Sequence, residues 1–308
     1  MKEIPSSFGK YSFQKMEPLE KGWSSDKKFR VVTVEGQVCL LRVSAPEELE
    51  RKREEFEALR SVAALGLPVP RPLAFGLSPE GGGVFTLLTW AEGREAKEAL
   101  PFLCEKEQYR LGCEAGKILR AMHTLPAPPG VAPWEERFSR KMERKIEMYE
   151  NCPIQAPGGE KIVRYLRENK GLLRGRPQTF QHGDYHCGNM VLGGDNRLSV
   201  IDFNRFDYGD PWEEFNRIVW CASVSGAFAA GRVEGYFGGE APELFWRLLA
   251  LYIGSNTLSS IPWAIPFGEK EVEVMLRQTE EVLTWFQDME NPVPSWYREW
   301  RERRENVR

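Results

Sequence analysis

The sequence predicts an α+β protein of two lobes, a small β-rich N-terminal lobe over residues 1–90 and a mainly helical C-terminal lobe over residues 91–308. Three observations carry this. Within the first ninety residues, β-branched and apolar runs alternate with turn residues around one segment of helical period. At Ala91-Glu92-Gly93 the strand pattern breaks, and Leu111, Ala115, Ile118, Leu119 and Met122 then form a helical stripe. Inside the helical half, one short hairpin is expected where Met190–Leu192 and Leu198–Ile201 flank the turn Gly193-Gly194-Asp195-Asn196.

The elements follow in order. Phe29–Val34 and Val38–Val43 are strands joined by Glu35-Gly36-Gln37. The preceding loop, Lys21-Gly22-Trp23-Ser24-Ser25-Asp26-Lys27, carries a glycine and two serines. Such a loop can present backbone N–H groups and hydroxyls to phosphate oxygens. Arg42 sits on an apolar strand, where a cation needs a partner. A helix begins at the capping box Ser44-x-x-Glu47 and ends at Gly66. Glu55 lies on the same face as Leu59 and Val62, which makes it the expected partner of Arg42, with Glu54 as the alternative. Leu67–Pro72 is extended, and Val84–Trp90 is a buried strand.

Beyond the stripe, His123 reads as a packing residue. Trp134–Asn151 and Lys161–Lys170 are charged and amphipathic, and read as solvated helices of an insertion. Trp263 and Phe267 lie in a loop, where core packing is the default and a pocket wall the alternative. Arg298–Arg308 reads as a frayed helix end.

Composition narrows the function. A chain of 308 residues is long enough to bury a sizeable core. Its net charge of −3 excludes the basic balance of a nucleic-acid binder. Six scattered cysteines without paired spacing read as reduced thiols in the cytoplasm. The N-terminus lacks a signal-peptide core, and no apolar run is long enough to span a membrane.

The chemistry concentrates in one stretch, Phe180-Gln181-His182-Gly183-Asp184-Tyr185-His186-Cys187-Gly188-Asn189, followed by Ile201-Asp202-Phe203. Phosphoryl transfer from a nucleotide needs a carboxylate to orient and deprotonate a hydroxyl, and hard oxygen ligands for Mg²⁺. Asp184, Asn189 and Asp202 are an ordered set of those types. A zinc site at His182, His186 and Cys187 is disfavoured, because Gly183 and Gly188 break the helix such spacing needs.

His-Gly-Asp-x-His-x-Gly-Asn, Ile-Asp-Phe and Gly209-Asp210-Pro211 together resemble the aminoglycoside phosphotransferase family, small-molecule kinases on a protein-kinase-like fold. The resemblance covers nearly the whole chain. It implies ATP or GTP with Mg²⁺ as cofactors, bound between the lobes. Asp184 is then the catalytic base, and Asn189 and Asp202 the metal ligands. Ser24 and Ser25 lie in the nucleotide-covering loop, and Arg42 with Glu55 stands at the phosphates, where the family pattern has Lys. Thr89 and Ala91 would meet the adenine edge with their backbones. Glu214 replaces the usual Asp of the turn after Gly-Asp-Pro, with Asp210 capping the following helix.

The acceptor is a small hydroxylated molecule. An aminoglycoside-like substrate and a housekeeping acceptor (an amino alcohol, homoserine or a sugar) remain open. A protein kinase is disfavoured, since no Ala-Pro-Glu-type segment follows Asp202. Between His182 and Pro294 seventeen acids face seven bases, a balance of −10, which suits a cationic acceptor.

Overall fold

The computed structural model describes residues 7–20, 25–78 and 83–305. Two compact units result, Met1–Glu95 with Asn189–Phe206, and Ala96–Gly188 with Asp207–Arg308. Ser24 lies outside the described residues.

The first unit is built on an antiparallel sheet of β1 (Ser7–Phe8), β2 (Tyr11–Leu19), β3 (Lys27–Thr33), β4 (Val38–Ser44), β5 (Pro72–Leu77) and β6 (Val84–Thr89), in the order β1-β2-β3-β4-β6-β5. The β3–β4 hairpin closes at Gly36, whose φ of +84° suits a residue without Cβ. Period-two alternation buries Phe29, Val31, Cys39, Leu41, Phe85 and Leu87 together with Phe8 on one face. Lys28 and Arg42, directly opposite each other across β3 and β4, therefore point to the other face.

Helix α1 (Leu49–Ala64) buries Lys52, Ala58, Leu59 and Val62. The expected capping box does not form. Ser44 is the last residue of β4 and its hydroxyl donates to Asp26 instead (2.8 Å), so the helix starts without a side-chain cap. Gly66 ends the helical run as expected, with φ +72°. A second small sheet joins β7 (Arg94–Glu95) to the hairpin β9 (Met190–Leu192) and β10 (Leu198–Val200). The hairpin register pairs Met190 with Val200 and Leu192 with Leu198.

The second unit is mainly helical. It comprises α2 (Ala96–Ala99), α3 (Glu105–Met122), α4 (Trp134–Glu150), α5 (Gly159–Asn169), α6 (Ile218–Ala222), α7 (Gly226–Phe237), α8 (Glu243–Ala264), α9 (Glu269–Trp285) and α10 (Ser295–Glu305), with β8 (Thr179–Gln181) paired to β11 (Asp207–Gly209). Helices α3 and α7 meet at backbone distance. A Cβ on Gly112 would strike the Phe228 carbonyl, and one on Gly231 the Tyr109 carbonyl.

The insertion reading of residues 134–170 is corrected. Helix α4 buries Trp134, Phe138, Met142 and Ile146, and packs on α8, where Trp134 Nε1 donates to Tyr252 (3.0 Å). Its charges are numerous because only one stripe faces inward. The C-terminal segment is docked rather than frayed. Trp296, Tyr297 and Trp300 are buried, and Arg304 pairs with Glu234 at 2.7 Å. Trp263 and Phe267 do not pack into the core; they stay exposed and lie ring against ring.

Candidate active site

The loop after β8 is held from three sides within the second unit. Gly183 turns it, with φ +81°, and its N–H donates to both oxygens of the buried Glu214 carboxylate (3.0 and 3.2 Å). Burial and the neighbouring Glu213 push Glu214 up to about 7, against the pull of the Gly183 amide and Arg232. Arg232 of α7 is fully buried between the rings of Tyr185 and Phe215. It donates to the Tyr185 carbonyl (2.8 Å) and the Glu214 carbonyl (3.1 Å). The Tyr185 hydroxyl donates to the Ala115 carbonyl of α3 (2.7 Å). Close packing at the glycines thus sets α7 at the depth from which Arg232 reaches the loop.

The two loop histidines serve the backbone. His182 Nδ1 accepts from the Asp184 amide (3.2 Å), and His186 Nδ1 accepts from the Gly188 amide (3.0 Å). The Asp184 side chain remains partly exposed. Its Oδ1 lies 3.3 Å from Arg217 Nε and 3.7 Å from His186 Nε2.

Asp210 is fully buried, and its carboxylate accepts from the Trp212 amide (3.0 Å), but it does not cap the following helix as expected: the helical turn Glu213–Arg217 starts after Trp212 without a side-chain cap. It also takes Arg176 in a fork (2.6 and 2.9 Å) and the Tyr252 hydroxyl (2.6 Å). His123 packs as expected, buried against Tyr236 (2.9 Å) and held neutral because burial lowers it to about 3.

In the first unit, Asn189 and Asp202 bracket the β9–β10 hairpin. The Ile201 amide donates to the Asn189 carbonyl (3.0 Å), and Asp202 has φ +67°. A left-handed aspartate stores roughly 1–2 kcal/mol, which a functional carboxylate direction can justify. One carboxylate and one amide oxygen are the hard donors that Mg²⁺ accepts alongside phosphates and water, so the pair fits that ion.

The cation cluster on the open face of the β3–β4 pair differs from expectation. Arg42 does not pair with Glu55. Its Nε and Nη2 grip Asp26 (2.9 and 2.6 Å), and its Nη1 reaches Asp202 at 3.5 Å. Glu55 instead takes Lys52 (3.1 Å), which also holds Asp26 at 3.1 Å. The reason is local reach. Asp26 immediately precedes β3 beside Arg42, and Lys52 stands one turn before Glu55 on α1. Burial alone would raise Asp26, but Arg42, the Ser44 hydroxyl and Lys52 bring it down to about 2. Glu55 is pushed up by burial against the pull of Lys52 and Arg42.

The phase argument separates the two glutamates correctly, because Glu55 turns inward while Glu54 is exposed. Lys28, opposite Arg42, is pushed down by burial and by Arg42, with Asp202 and Asp26 opposing.

Ser25 is exposed beside Asp26. The Thr89 amide is already bonded to the Arg71 carbonyl (2.9 Å), and Ala91 follows in irregular chain. Asp26, Lys28, Lys52, Arg217 and Arg232 escaped sequence reasoning. Lys52 was findable, since it precedes Glu55 and Leu59 by three and seven residues on the inward face. So was Arg232, a lone charge in the small-residue run Gly226-Ala227-Phe228-Ala229-Ala230-Gly231.

An antiparallel sheet with one buried helix, a helical second unit and a braced His-Gly-Asp loop define a phosphotransferase of kinase-like fold. The model of the phosphotransferase enzyme family matches residues 15–246, and the chain belongs to that family. Solved structures share the fold. A thermostable mutant of aminoglycoside phosphotransferase APH(4)-Ia, in ternary complex with ADP and hygromycin B, is 17% identical with TM-score 0.66, covering 88% of this chain and 94% of that one. The GDP complex of aminoglycoside 2'-phosphotransferase-IIIa is 15% identical with TM-score 0.66, covering 88% and 93%. A choline/ethanolamine kinase family protein from Mesorhizobium loti is 18% identical with TM-score 0.63, covering 90% and 91%. Among the described residues, no helix is long and apolar enough to cross a membrane.

Proposed function

We propose that the protein transfers the γ-phosphoryl group of ATP or GTP to a hydroxyl of a small molecule, with Asp184 as the base. The observation that carries this is the bracing of the Asp184 loop by Glu214 and Arg232, which fixes a carboxylate on a backbone with little freedom to move. Residues 1–90 would bind nucleotide, and residues 91–308 would carry the base and the acceptor site.

Asp184 accepts the hydroxyl proton as the oxygen attacks phosphorus. Arg217, 3.3 Å away, orients the carboxylate until then. Asn189 and Asp202 would hold Mg²⁺, which neutralises charge on the phosphates when bound. Arg42 and Lys28 are the cations assigned to the phosphate oxygens, with Asp26, Lys52 and Glu55 fixing Arg42 in place. Ser24 and Ser25 would cover the phosphates, and Thr89 and Ala91 would face the base of the nucleotide. The matched complexes with ADP and GDP support both nucleotides alike. The cysteines, all free, support a cytoplasmic setting.

A housekeeping acceptor is the second reading, favoured by the choline/ethanolamine kinase relative. The cationic acceptor suggested by the acidic stretch after His182 weighs less than the groups that flank the base. The test is nucleotide turnover across a panel of hydroxylated acceptors, in the wild type and in Asp184→Asn. Turnover should appear with at least one acceptor and drop roughly 10²-fold in the variant with nucleotide affinity kept. Near wild-type turnover in Asp184→Asn removes the assigned role.

A further inference from the structure

The surroundings of Asp184 are cationic, although the chain after His182 is acidic. Arg217 Nε sits 3.3 Å from Asp184 Oδ1 and makes no hydrogen bond, although that nitrogen is buried. Four residues earlier, Glu213 accepts from Gln181 (3.1 Å) and pairs with Lys141 of α4 (3.4 Å). One turn further along the same face of α4 stands Lys145, partly buried, with no hydrogen bond or ion pair among the described residues. It shares an electrostatic neighbourhood with Lys141, Glu213, Arg217 and Arg144. The inner groups are thus Lys141, Lys145 and Arg217 against Glu213, Asp184 and Glu214, the last pushed up to about 7 by burial and by Glu213 and so only partly charged near neutral pH.

A partly buried ammonium that no carboxylate contacts directly, with Glu213 acting on it only at longer range, is unfavourable, and the group either sheds its proton or waits for a charge from outside. A polycationic acceptor would add to the imbalance, and an anion would remove it. Helix α4 belongs to the part of the sequence that carries a balance of +7, so counting charges after His182 overlooks the helix that the fold brings to Glu213.

We propose that the acceptor carries an oxyanion, a carboxylate or a phosphate, beside the hydroxyl that is phosphorylated, and that Lys145 and Arg217 bind it. This names the acceptor class of the transferase reading and rests on it. Lys145 supplies a second line of support. Burial and Lys141, opposed by Glu213, bring its ammonium down to about 7. An oxyanion reverses that shift, so binding above neutral pH takes up a proton.

The test uses one carbon skeleton with four charges. Glucose, glucuronate, glucose 6-phosphate and 6-amino-6-deoxyglucose, which differ only at C6, are titrated into the full chain by calorimetry at pH 8, without nucleotide, in two buffers of different ionisation enthalpy. Glucuronate or glucose 6-phosphate should bind at least about tenfold tighter than glucose, the scale of a charge-assisted hydrogen bond, with proton uptake, and 6-amino-6-deoxyglucose no tighter than glucose. The two anionic arms separate carboxylate from phosphate.

Lys145→Met should abolish both the preference and the proton uptake, and Arg217→Lys should weaken the preference. The exposed Arg140→Gln, whose guanidinium pairs among the described residues with Glu136, should change neither. Equal binding of all four sugars, a preference for 6-amino-6-deoxyglucose, or an unchanged preference in Lys145→Met overturns the proposal. Because binding is read without nucleotide, anion binding with no phosphoryl transfer would instead count against the transferase reading.

Discussion

Replacing Asp26 by Asn tests the cluster that positions Arg42. The substitution keeps the volume and removes the charge that faces Arg42 at 2.6 Å and Lys52 at 3.1 Å. Asp26 and both cations are buried, with relative exposures of 8% for Asp26, 8% for Arg42 and 4% for Lys52. Stranding buried cations in this way costs about 3–5 kcal/mol. The lowered carboxyl gives a second figure from the same contacts. A carboxyl that titrates at about 2 instead of 3.8 contributes about 2.5 kcal/mol at neutral pH.

The sign follows from the lowered value. The contribution is complete above pH 3.8 and is lost as pH falls through 3.8 towards 2. Urea unfolding followed by circular dichroism should show Asp26→Asn less stable than wild type by about 3 kcal/mol or more at pH 7. That gap should stay level down to pH 4 and close below it. In an Arg42→Met background the same substitution should cost clearly less, with a coupling of about 2 kcal/mol. A gap below about 1 kcal/mol at pH 7, or full additivity with Arg42→Met, would show that Asp26 does not hold the arginine.

Asp202→Ala should remove measurable Mg-nucleotide binding by calorimetry, and unchanged affinity would contradict the metal assignment. Glu55→Ala should destabilise the first unit by about 1–3 kcal/mol by taking one of the two anions from Lys52, while Glu54→Ala stays within about 0.5 kcal/mol; thermal melts compare the two, and the reverse order would refute the assigned helix face. Arg232→Met should leave two buried carbonyls without a donor and lower kcat about tenfold or more while the KM for nucleotide holds. Loss of nucleotide affinity with unchanged kcat would refute its loop-positioning role.

The elements most legible in the sequence were those whose signal is local. The β3–β4 hairpin, β6 and the Gly193–Asn196 hairpin follow from alternation and turn residues, and the structure sets them within a residue or two of expectation; α3 ends where its stripe does, at Met122, but begins earlier, at Glu105. Strand β2 was missed because Tyr11–Leu19 lies near the sheet edge with exposed Gln14, Lys15 and Pro18, so its pattern is not apolar. Helices α4 and α5 were read as solvated because charge dominates their composition, although one stripe of each is core. In the site, the Asp184, Asn189 and Asp202 frame is contiguous enough to read directly. The partners of Arg42 were not, since Asp26 is sixteen residues away and nothing in its loop marks it.

The discontinuity of the first unit bears on how this chain emerges from a ribosome. After Glu95 is made, 93 further residues must be synthesised before Asn189 appears. At 5–20 residues per second that is a wait of roughly 5–20 s. During it, β7 lacks β9, its partner, and the Pro68 carbonyl lacks the Val200 amide that later donates to it at 2.9 Å. The six-stranded sheet is complete by then, but the first unit is unfinished: β7 and the Pro68 carbonyl stay open to wrong partners until the β9–β10 hairpin is released. Translation stalled between residues 95 and 188 should leave a protease-sensitive N-terminal fragment, and a gene split at residue 95 should yield two pieces that need each other to fold.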